Sequence, residues 1–172
     1  MQLHICTLAF AVKMNVIASM SDSSPDQTPT PSAATTRLWI ALMRTQRVLL
    51  AAIEQDLKAA DLPPLGWYDV LWELVRAEKG RLRPFEIEAH TLLAQHNLSR
   101  LLDRMEAAGL VRREILPQDG RGRWVLVTEA GRAMQQRIWT VYGASIERHL
   151  GEKLSNTDAE QLANELARLV RG

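Results

Sequence analysis

Apolar residues recur at helical spacing from Leu38 to Leu57, through Leu42, Leu49, Ala52 and Ile53, which predicts a long amphipathic helix with Thr35 or Thr36 as its N-cap. Pro63, Pro64 and Gly66 then break the chain, and Val70, Leu71, Leu74 and Val75 carry a second helix from Trp67 to Ala77, closed by Gly80. Pro84 suits the first turn of a short third helix ending near His90 or Thr91, because its fixed φ and missing N–H cost nothing there. A fourth helix runs from about Ala94 to Ala108, with Leu98, Leu101, Leu102, Met105 and Ala108 on its core side and Gly109 as C-cap. Two helices so closely joined, the second polar at its start, make a helix-turn-helix.

Past Gly109 the period changes. Val111 to Leu116 and Arg123 to Thr128 read as two strands joined by the turn-forming run Pro117, Gln118, Asp119, Gly120, Arg121 and Gly122, a hairpin that forms a wing. A helix from about Glu129 to Leu150 aligns Met134, Ile138, Val141, Tyr142, Ile146 and Leu150, and a last helix follows Ser155, whose spacing to Asp158 fits a capping box. The expected fold is mainly α with a small β component (α+β): a winged helix-turn-helix with a two-stranded β wing and long N- and C-terminal dimerisation helices. The apolar stripes of the terminal helices exceed what a small winged lobe can cover, so a twofold pairing of identical chains is the simplest way to bury them.

The first 34 residues do not share this patterning. Ser21 to Thr36 carries three prolines among Ser, Thr, Asp and Gln, a composition too polar to fold. Leu3 to Ala18 is apolar, but Lys13 interrupts it, no basic stretch precedes it and it is too short to span a bilayer. Residues 1–34 are therefore read as a disordered tail or as the product of an upstream start chosen in place of Met14 or Met20. Residues 35–171 are the folded domain, with 35–60 and 129–171 as dimerisation helices and 62–128 as the DNA-binding lobe.

Composition narrows the chemistry. Cys6 is the only cysteine in 172 residues, so an intrachain disulfide and a Cys-rich zinc site are excluded, and the cytoplasm is the natural compartment. The four histidines lack metal-ligand spacing, and no G-x-S-x-G elbow, P-loop or G-x-G-x-x-G run is present, so no metal, no cofactor and no enzymatic activity are expected. Net charge is only +1, yet from Arg76 to Arg123 ten Lys or Arg face seven Asp or Glu, concentrating positive charge on the winged lobe.

On the fourth helix, the face opposite the apolar stripe presents His96, Ser99, Arg100 and Asp103, flanked by Gln95, Asn97 and Arg104. Arg100 suits guanine O6 and N7, Gln95 and Asn97 suit adenine, and Ser99 suits a phosphate. At the hairpin tip Arg121 and Arg123 bracket Gly122 on a ribbon narrow enough to approach a phosphate backbone or enter a minor groove. A solvated helix face and an ordinary turn are the competing readings of these two segments.

The run from Asn97 through Leu98, Ser99, Arg100, Leu101, Leu102, Asp103, Arg104 and Met105 to Gly109, Leu110, Val111, Arg112 and Arg113 resembles the recognition helix and exit of the multiple-antibiotic-resistance regulator (MarR) family. The run Asp119 to Gly131 is similar to that family's wing, D-x-R then V-x-L-T-x-x-G, with Val127 where leucine is usual. The resemblance covers about Thr35 to Val170. It implies a homodimer that binds double-stranded DNA at pseudo-palindromic operators as a repressor, relieved by a small aromatic or phenolic effector. It also implies that Arg121 is the wing arginine reaching DNA, with Asp119 as its positioning partner. The ligand cavity it implies has Trp39, Trp67, Tyr68 or Trp72 as candidate lining, although aromatics at such spacing more often form a simple core. The alternative is a winged-helix protein-interaction module that does not bind DNA.

Overall fold

The computed structural model describes residues 29–91, 95–115 and 123–170. The chain parts between Ala41 and Leu42 into two compact units. In the first, the Ser32 hydroxyl oxygen accepts the Thr35 N–H at 3.1 Å and starts helix α1 (Ala33–Ala59). Ser32 is therefore the cap in place of Thr35 or Thr36. Ala33 and Ala34 are strong helix formers and carry the first turn further upstream, while the Thr36 hydroxyl donates back to the Ser32 carbonyl at 3.0 Å.

In the second unit, the remainder of α1 is followed by α2 (Leu65–Arg76), β1 (Arg81–Leu82), α3 (Pro84–His90), α4 (Gln95–Ala107), β2 (Val111–Ile115), β3 (Arg123–Val127), α5 (Glu129–His149), a 3-10 turn (Gly151–Lys153) and α6 (Asn156–Val170). Pro64 precedes α2 and has no side chain able to cap it. The Glu54 carboxylate of α1 accepts the Leu65 N–H at 3.0 Å instead. Pro84 opens α3 as expected, and the Glu86 carboxylate accepts the Arg83 N–H at 2.6 Å.

The strands form one antiparallel sheet in the order β1-β3-β2. The hairpin β2–β3 was expected, but β1 was not: two residues cannot display alternation. Gly80, predicted to close α2, lies in the turn beyond its C-cap Ala77, with φ +61°, and its carbonyl accepts the Val127 N–H at 3.0 Å. It thus delivers the chain to the sheet edge.

Helices and sheet share one core. Leu57, Val70, Leu71, Leu74, Ile87, Met105, Val125 and Ile138 are fully buried in it, and each contributes about 1.5–3 kcal/mol by leaving water. Leu98, Leu101 and Leu102 join them, but Ala108 is exposed, because α4 ends at Ala107 and the chain turns through Gly109 at φ +72°. The Leu110 N–H closes that turn on the Met105 carbonyl at 3.0 Å, which is a Schellman cap.

The hairpin and α4 meet at one joint. The Thr128 N–H donates to the Leu110 carbonyl at 3.1 Å, and the Thr128 hydroxyl contacts the Gly109 and Leu110 carbonyls at 2.7 and 3.0 Å. The same hydroxyl oxygen accepts the Gly131 N–H at 3.0 Å and caps α5. A Cβ at Gly131 would collide with the Leu110 carbonyl oxygen, so the T-x-x-G pattern marks a close approach of backbones.

Asp56 of α1 fastens α5: its carboxylate accepts the Ser145 hydroxyl at 2.5 Å, contacts His149 Nε2 at 3.0 Å and pairs with Arg148 at 3.2 Å. By contrast α6 has no buried residue, and Leu162, Leu166, Leu169 and Val170 are exposed along it. No helix among the described residues is long and apolar enough to cross a membrane.

Candidate nucleic-acid interface

Helix α4 is anchored by Leu98, Leu101, Leu102 and Met105, and this fixes its other face outward: Ser99, Arg100, Asp103 and Arg104 are all exposed. Gln95, His96 and Asn97 form its first turn. Arg100 and Arg104, one turn apart, line a cleft of about 720 Å³ whose opposite wall is Pro64, Gly66 and Trp67 at the start of α2.

Asp103 lines the same cleft, and β2 runs back along the helix and brings Arg113 to the acids of α4. The Arg113 guanidinium pairs with Asp103 at 2.7 Å and Glu106 at 2.9 Å, and its backbone N–H donates to the second oxygen of Glu106 at 2.9 Å. The helical pattern places Asp103 on the face opposite the apolar stripe, and the structure gives it in Arg113 a partner that the pattern did not reveal. Arg113 is only 21% exposed, so its charge is spent inside, and the outward face keeps the positive sign of Arg100 and Arg104.

Arg123 is exposed at the distal end of β3. Asp119 and Arg121, expected at the wing tip, lie outside the described residues. Beside Arg123, Trp124 carries the guanidinium groups of Arg81 at 4.8 Å and Arg83 at 5.0 Å from its ring centre. Sequence reasoning missed this group: only the pairing of β1 with β3 brings residues some forty positions apart to one ring.

The aromatics proposed for a ligand cavity are distributed over both units. Trp39 is exposed in the first unit, and Trp67 is half-buried beside α4. Tyr68 and Trp72 do come together, stacked at 6.0 Å, and α5 adds Trp139, stacked on Tyr68 at 5.9 Å, and Tyr142, edge-on at 5.2 Å. Trp72 and Trp139 remain substantially exposed. Burial pushes the Tyr68 and Tyr142 phenols above their ordinary range, so both stay protonated donors at neutral pH. Burial, aided by Glu54 and Glu73, likewise raises the Asp69 carboxyl, while Glu73 meets His90 at the end of α3 at 3.4 Å.

A model of the MarR family matches residues 60–122, which span α2 to the wing. No curated protein matches the chain. Among solved structures, AbsC, a MarR family transcriptional regulator from Streptomyces coelicolor, is 28% identical, with 83% of this chain and 96% of AbsC covered at a TM-score of 0.73. Sco3205, a MarR family regulator of the same organism solved in complex with DNA, is 23% identical, covering 84% of this chain and 90% of its own at a TM-score of 0.75. The organohalide-sensing regulator RdhR-CbdbA1625, in its 2,4-dichlorophenol-bound form, shares the fold at 15% identity and a TM-score of 0.70, with 86% of this chain and 88% of its own covered. The outward basic helix, the hairpin behind it and the T-x-x-G joint between them fit these matches: residues 60–122 match the MarR family model, and the chain shares the winged helix-turn-helix fold of MarR family transcriptional regulators.

Proposed function

We propose that the protein is a homodimeric repressor that binds a pseudo-palindromic operator, reads it with two copies of α4 in successive major grooves about 34 Å apart and grips the flanking backbone with its wings. The observation that supports this most is the charge arrangement on α4: Arg113 engages the helix acids from behind, and Arg100 and Arg104 stay outward. In this reading Arg100 contacts a guanine, Gln95, His96 and Asn97 enter the groove first, and Ser99, Arg104, Arg121 and Arg123 hold phosphates, with Asp119 orienting Arg121. The exposed leucines of α6 and the exposed Met43, Val48 and Leu50 of α1 are the surface that a second copy covers.

The effector is a small aromatic or phenolic compound packing on the Tyr68–Trp72–Trp139–Tyr142 group, for which the phenol-bound state of the organohalide-sensing relative is the precedent. Fluorescence anisotropy with fragments of the source genome tests the proposal. A tight, salt-sensitive complex of two chains per site, released by a phenol, supports it. A chain that stays monomeric and ignores duplex DNA at low ionic strength overturns it.

A further inference from the structure

Beside the aromatic group of α2 and α5 stands one half-buried carboxyl, that of Asp69. From its place among those rings we infer that Asp69 is the polar anchor of the effector site, accepting the hydroxyl of a phenol in its un-ionised form, and that the site rejects aromatic carboxylates. The inference rests on the reading of Tyr68, Trp72, Trp139 and Tyr142 as the effector surface, and it specifies the charge of what binds there.

Helical spacing assembles the group. Asp69 follows Tyr68 and precedes Trp72 by three residues, so it shares a side of α2 with the Trp72 indole. Trp72 and Trp139 both stack on Tyr68, at 6.0 and 5.9 Å, and Tyr142 meets it edge-on. Trp72 is 39% exposed and Trp139 49%, which leaves indole surface for one more ring. After burial, the charge of Asp69 adds to the upward push on the phenols of both Tyr68 and Tyr142, so the carboxyl lies within electrostatic reach of two hydroxyl ends.

Nothing balances this carboxyl. Among the described residues no hydrogen bond or ion pair reaches Asp69, and burial, with Glu54 and Glu73 beside it, pushes it up. Those two acids are already engaged: Glu54 accepts the Leu65 N–H at 3.0 Å, and Glu73 meets His90 at 3.4 Å and Arg76 at 4.0 Å. The Tyr68 hydroxyl faces Gln135, buried on α5. Asp69 is thus an acceptor awaiting a donor, and a neutral hydroxyl offsets the cost of holding it out of water without adding charge. A carboxylate ligand would add a further negative charge to those of Asp69, Glu54 and Glu73, where partial burial weakens screening. An organic ammonium would meet the Arg76 guanidinium, which already lies over the Trp72 ring at 5.5 Å.

Three ligands with one ring and three charges test this by titration calorimetry on the full chain at neutral pH: para-chlorophenol, para-chlorobenzoate and para-chlorobenzylammonium. The parent should bind the phenol about tenfold more tightly than either ion, the ratio expected for one hydrogen bond to a charged acceptor. Asp69→Leu should lose about tenfold in phenol affinity and gain affinity for the benzoate. Asp69→Asn keeps an acceptor oxygen without the charge, so it should lose less for the phenol and gain the benzoate as well. A residue that only supports the fold does not exchange one ligand for the other. Trp139→Ala reports on the aromatic surface itself. If it weakens binding while an ion binds the parent as tightly as the phenol, or while Asp69→Leu keeps the parental phenol affinity, the anchor is refuted and the effector surface stands. If none of the three ligands binds the parent, both fall. Should Asp69→Leu not fold, as judged by thermal melting, the parent's ranking of the three ligands and Asp69→Asn decide.

Discussion

Two aspartates a helix apart respond to pH in opposite senses. The Ser145 hydroxyl bond, together with His149 and Arg148, holds the Asp56 carboxyl below its ordinary range. Its contribution to stability is therefore complete above the ordinary aspartate value and is lost as pH falls through the lowered one. Asp56→Asn should flatten the acid limb of a stability-against-pH curve measured by urea denaturation, and an unchanged limb would count against the network. Asp69 is raised, chiefly by burial, so its ionisation opposes folding as pH rises through the raised value. Asp69→Asn should raise the melting temperature at neutral pH and make no difference at low pH, where the parent is protonated. Gly131→Ala drives a methyl into the Leu110 carbonyl and should cost about 1–3 kcal/mol, seen as a lower urea midpoint at unchanged m-value.

Among the elements, the sheet supports α4, and this yields a prediction that helix residues alone do not suggest. Arg113→Gln leaves Asp103 and Glu106 uncompensated beside Arg100 and Arg104, so operator affinity should fall several-fold with base preference unchanged, at a stability cost of about 1–3 kcal/mol. A competition titration against single-base operator variants separates this from Arg100→Ala, which should relax preference at one base pair by about 1–3 kcal/mol. Elements with several apolar periods were legible in the sequence: α1, α2, α4 and α5 follow their stripes, and Pro84 and Gly109 mark boundaries by backbone chemistry. What escaped has little local signature. A two-residue β1 has no period, Ser145 finds Asp56 across 89 positions, and Arg81, Arg83 and Trp124 meet only when the sheet forms. Trp67 lies beside α4 while Tyr68 and Trp72 join a stack with Trp139 of α5, since the composition of a helix does not say which face meets which neighbour.

For the whole molecule, pairing and DNA binding are coupled if two lobes must reach two half-sites. Leu162→Glu with Leu166→Glu places charge on the bare face of α6 and should convert a dimer to monomers in sedimentation velocity, with the salt slope of DNA binding reduced to about half. A dimer that survives both changes would assign the twofold contact elsewhere. The Thr128 joint bears on how such a pair works. A single hydroxyl ties the end of α4, the return of the ribbon and the first turn of α5, and the missing methyl at Gly131 lets the backbones touch there. In mechanical terms this is a welded elbow on a 21-residue lever: torque applied at the far end of α5 should swing α4 and the ribbon through the same angle.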